Sequence, residues 1–123
     1  MTIGELEREI QWCDDALDDL ETEEGIIKEL YQEIRDGAEE PMKIYDMTAA
    51  GEFRGYLENE AEQTHHQAYT DVHTAQADTL RHLEEIAQAK ERIREYRRHC
   101  KDELEELKAQ LNNNAEQKDG EDN

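Results

Sequence analysis

The chain has 123 residues, 34 acidic and 14 basic, for a net charge of −20; 35% are apolar and 39% charged. That allows one domain at most and falls short of the ~45–50% apolar content of a layered globular core. It also makes nucleic acid and anionic membrane poor partners, and a basic protein surface the natural one.

The opening "MTIGELEREI" has neither the basic n-region nor the apolar h-region of a classical signal peptide. Cytoplasmic residence is expected, with export by a signal-less route left open. Thr2 followed by Glu5 is a capping box that starts a helix. Apolar residues then fall at spacings of 3 and 4: Ile3, Leu6, Ile10, Cys13, Leu17 and Leu20, with Glu24 as a charged member, then Ile27, Tyr31 and Ile34. This is an a/d heptad of coiled-coil type. Gly37 is expected to stop the helix, and residues 37–47, "GAEEPMKIYDM", which hold the chain's one proline, read as a connection.

A second helix is predicted over 48–111, loosened at its start by Gly51 and Gly55. Its first part carries a thin stripe of Phe53, Leu57, Ala61, Thr64, Ala68 and Val72. Leu83, Ile86, Lys90, Ile93, Arg97, Cys100, Leu104, Leu107 and Leu111 follow as an a/d seam. The polar end, 112–123, reads as a disordered acidic tail. No apolar run approaches the ~20 residues of a membrane span. The fold class is therefore all-α: an antiparallel, coiled-coil-like helical hairpin with a longer second helix, ~95 Å against ~50 Å at ~1.5 Å per residue.

Charge patterning sets a register. "CDDALDDLETEE", residues 13–24, holds seven acids and no base, while residues 90–101 hold six of the 14 lysines and arginines. Aligned antiparallel, the two runs coincide, Cys13 comes within about one turn of Cys100, and Glu24 meets Lys90. A hairpin turning at 37–47 instead places the first helix against 50–86. The charged runs then meet in one of two ways: 90–111 pairs with the first helix of a second copy, or the chain turns again near "EQTHHQ". The first is preferred, because that stretch has no glycine or proline. A two-helix hairpin buries little against the entropy of ordering its residues, so association with a partner or a second copy is expected.

Chemistry is sparse. The chain has no serine, which excludes a serine triad, and no Gly-rich phosphate loop. Glu62 and His65 form a single E-x-x-H pair, where helical di-iron sites use two. Cys13 and Cys100 read as buried thiols or as one disulfide, not as a zinc site. No catalytic residue, metal or cofactor is expected. Trp12, at heptad position c beside the seam, is either an exposed partner anchor or packed against the edge of the second helix.

Some 35 helical residues, a Gly-containing turn and "MTAAGEFRGYLENEAEQTHHQAY" leading into a long polar helix resemble the WxG-like helical-hairpin proteins of the type VII secretion system, the helpers of LXG toxins. Gly51 and Phe53 carry the match at the turn. The resemblance implies a non-enzymatic adaptor or chaperone that binds the helical N-terminal region of a secreted toxin, alone or with a second helical helper. The tyrosine-x-x-x-acid export pattern occurs only as Tyr56 and Glu60, at the start of the second helix, which implies an export signal supplied by the partner. Partner-binding candidates are Trp12, Asp14, Asp15, Asp18, Asp19, Phe53, Arg94, Arg97, Arg98, Leu104, Leu107 and Leu111. The alternatives are a self-associating structural or regulatory coiled coil, a homodimer among them, and an acidic inhibitor or immunity protein.

Overall fold

The structure, a computed structural model, describes residues 1–44 and 56–121, with side chains described over 1–43 and 59–116. It is an all-α helical hairpin with a longer second helix. Helix α1 spans Ile3–Ile34, a π-helical turn spans Arg35–Glu39, helix α2 spans Glu40–Ile44, and helix α3 spans Tyr56–Glu121. The capping box forms with one variation. Thr2 Oγ1 accepts the Glu5 amide at 3.2 Å, while the Glu5 carboxylate accepts the Thr2 hydroxyl rather than its amide.

These helices contribute to two compact units, Met1–Thr22 with Ile86–Asn123, and Glu23–Glu85. In the first unit α1 and α3 run antiparallel, with Glu7 facing Lys108 at 3.9 Å, Asp14 facing Arg97 at 2.7 Å and Glu21 facing Arg94 at 3.8 Å. Leu6, Cys13, Ile86 and Cys100 are its fully buried apolar side chains. The second unit buries no apolar side chain fully among its described residues. Among those residues the one fully buried side chain is Gln76, whose Nε2 donates to the Tyr31 carbonyl at 3.0 Å. His65 Nε2 donates to the Met42 carbonyl at 2.8 Å.

Several expectations need correction, and most trace to Gly37 and Pro41. Gly37 does not stop the first arm, since it sits inside the π-helical turn, and helix resumes through Ile44. Pro41 lacks an amide, and in an unbroken α-helix its ring would crowd the carbonyl four residues back, that of Gly37. The wider π-helical turn directly before it, with the Glu40 amide bonded to the Arg35 carbonyl, relieves that clash. The first arm is thereby longer than the sequence pattern allows, running through Ile44. Residues 13–22 and the basic run of α3 consequently face each other within the first unit of a single chain. Neither a second copy nor a second turn near "EQTHHQ" is required, and α3 is unbroken there.

Two further corrections concern α3. It continues to Glu121, past Asn112, so residues 112–121 are helical rather than a disordered tail. Its early stripe is also rephased. Ala61 and Thr64 are exposed, and the inward-facing set is His65, Ala68, Tyr69, Val72, Gln76 and Thr79. Running the heptad back from Leu83 gives this phase, but its polar members hide it. His65, Gln76 and Thr79 are tolerated there because their polar ends are bonded, Thr79 to the Ala75 carbonyl at 2.9 Å.

Candidate partner-binding surfaces

In the second unit α1 presents Ile26, Leu30 and Ile34 to solvent at 54%, 51% and 44% exposure. Spaced by four residues, they form one ridge along the helix, the geometry that packs into the groove of another helix. Ile34 belongs to the expected seam, but the helix changes to the π-helical turn immediately after it. Leu30 and Ile34, with Ile27 and Tyr31, line one side of a groove of about 380 Å³; Gln76, Asp78, Thr79 and His82 of α3 line the other. His82 stands between two carboxylates, Glu23 at 3.7 Å and Glu85 at 3.8 Å.

The first unit has a second groove, of about 540 Å³, lined by Arg8, Glu9, Trp12, Arg92, Ile93 and Tyr96. Trp12 is 56% exposed and forms one wall. Tyr96 forms another, its phenol donating to Glu9 Oε2 at 3.1 Å. Arg8 and Arg92 enter no ion pair among the described residues, so their charge is presented at the rim. Of the acids in residues 13–24, Asp14 and Asp15 have their carboxylates engaged, while Asp18 accepts through its backbone. Asp14 accepts from Arg97 Nε, Asp15 from the Gln11 amide at 2.9 Å, and the Asp18 carbonyl takes the Thr22 hydroxyl at 3.0 Å.

The other anticipated residues divide clearly. Arg94 lies between Glu21 at 3.8 Å and Glu91 at 3.6 Å. Asp19 and Arg98 are exposed. Leu104 and Leu107 are half-buried within the first unit. Leu111 is 57% exposed. Phe53 lies outside the described residues. The sequence reading missed Ile26 and Leu30. Their signal was present as apolar residues four apart that fall off the heptad seam and continue into Ile34. It also missed Arg8, Arg92 and Tyr96, which only the packing of the two helices brings beside Trp12.

Behind this second groove is a buried sulfur pair. Cys13 and Cys100 are 0% and 1% exposed, and both are free thiols. Burial pushes the Cys13 thiol up from its ordinary value of 9.0; Cys100, Glu9 and Asp14 add to the rise and Arg97 opposes it. Tyr96 is pushed up to about 12, first by a hydrogen-bonding contact with the Cys100 thiol, then by desolvation, then by its bond to Glu9. Elsewhere, no group of three or more His, Cys, Asp or Glu among the described residues is arranged to hold a metal ion. No helix among them is long and apolar enough to cross a membrane.

Comparison with known protein families, curated proteins and solved structures gives no match.

Proposed function

We propose that the chain is a non-enzymatic helical interaction protein, an adaptor or chaperone that takes a partner's helix onto the second unit. One observation carries this reading: Ile26, Leu30 and Ile34 form a bare apolar ridge on a unit that buries no apolar side chain fully among its described residues. A third helix laid along the ridge supplies the apolar cover that the hairpin does not provide for itself. The client of this proposal is the helical N-terminal region of a secreted toxin, bound in the cytoplasm and escorted to a type VII secretion system. The hairpin with its longer second helix, together with the sequence motif around Gly51 and Phe53, supports that choice.

The test is calorimetric titration of the full chain with the helical N-terminal region of an LXG toxin, for the native sequence and for Leu30→Asp. Leu30 is half in solvent already, so the variant should keep its helical circular dichroism while losing binding by at least tenfold, about 1.4 kcal/mol. Equal affinity for both chains would remove the ridge from the proposal. Light scattering behind size exclusion separates the structural alternative, which requires a stable homodimer.

A further inference from the structure

Three ion pairs fix the register of the first unit: Glu7 with Lys108, Asp14 with Arg97, and Glu21 with Arg94. Cys13 directly precedes Asp14, and Cys100 lies one turn beyond Arg97 toward Lys108, so the register sets the two cysteines opposite each other. Each is fully buried on the inner face of its helix. Tyr96, one turn before Cys100, bonds Glu9, one turn before Cys13, and contacts the Cys100 thiol. Cysteine is small, so a facing pair permits close approach of the two backbones, which a disulfide requires.

We propose that Cys13 and Cys100 form a modification site, a dithiol that oxidises to an intrachain disulfide and staples α1 to α3. With a low-molecular-weight disulfide such as oxidised glutathione as oxidant, one cysteine thiolate attacks a glutathione sulfur and expels the first glutathione thiolate. The second cysteine, deprotonated, then attacks the mixed disulfide at the protein sulfur and expels the other. Two protein thiols become one S–S bond, the oxidised glutathione becomes two reduced molecules, and the two thiol protons pass to them. Burial and a raised Cys13 thiol leave little thiolate in the closed unit, so exchange is slow in both directions until the helices part. The redox state is thus set while the first unit is open and retained once it closes.

The experiment incubates the reduced full chain with oxidised glutathione, with and without mild denaturant, and follows intact mass, peptide maps and thermal melting. The expected product is a monomer lighter by two hydrogens, with the Cys13 and Cys100 peptides joined. Its thermal midpoint should rise by about 10 °C or more, because the bridge closes a long loop. Denaturant should accelerate the conversion by on the order of tenfold or more. Cys13→Ser and Cys100→Ser should each end as a glutathione adduct; if either fails to fold, the native chain's mass and peptide map decide alone. Stable glutathione adducts on both cysteines, a disulfide between two chains, or a lowered midpoint on bridging would each overturn the assignment.

Discussion

Cys13 and Tyr96 both have their titration moved upward, and the consequence has one sign. A thiol or phenol held neutral in the fold contributes stability that is complete below its unfolded value and lost as pH rises through its folded one. The window opens above 9.0 for Cys13 and runs from 10.0 to about 12 for Tyr96. Thermal melts across alkaline pH should show the midpoint falling over this range, and Tyr96→Phe should flatten the upper part of the fall. An unchanged profile in that variant would show that the phenol does not contribute. Asp14→Ala should cost on the order of 1 kcal/mol in chemical denaturation, since its partner Arg97 sits at 2.7 Å but both side chains retain solvent contact. That the two charged runs face each other was legible in the sequence because opposite charge runs have a best antiparallel alignment; the individual pair of Asp14 with Arg97 was not. The groove beside Trp12 was less legible, since its other wall, Tyr96, comes from the opposite helix.

At the scale of the element, the seam from Leu83 to Leu107 was readable because its apolar members keep the period on both sides of the two basic ones, Lys90 and Arg97. Between His65 and Thr79 period and polarity disagree, since Gln76 is the most deeply buried of the second unit's described side chains yet reads as a surface residue. Gln76→Ala should cost about 1–2 kcal/mol, leaving a hole and removing the donor to the Tyr31 carbonyl. Gln76→Leu should be near neutral, because that carbonyl lies inside α1 and keeps its place in the helical ladder. A loss of more than about 2 kcal/mol in the leucine variant would show that the hydrogen bond, not the volume, matters. Gly25 lies within α1, and nothing stands within 4 Å of where its Cβ would be. Gly25→Ala should therefore stabilise the chain by about 0.5–1 kcal/mol in the same measurement.

For the whole molecule, the acids outnumber the bases 34 to 14, while the pairs between helices are solvent-exposed or half-exposed and individually weak. Self-repulsion therefore outweighs attraction, and added salt should raise the thermal midpoint rather than lower it. A fall with salt would mean that the ion pairs of the first unit dominate. Hydrogen exchange should be slower in the first unit, which holds Leu6, Cys13, Ile86 and Cys100, than in the second, where no described apolar side chain is fully buried. The sequence by itself determined the all-α class, the start of the first helix, the heptad seam of α1, that of α3 from Leu83 onward and the mutual register of the charged runs, because periodicity, capping and charge act over a few residues. Only the tertiary structure decided that this register closes within one chain. A π-helical turn that accommodates Pro41 extends the first arm, and where a helix reverses depends on how the whole arm packs, not on one glycine.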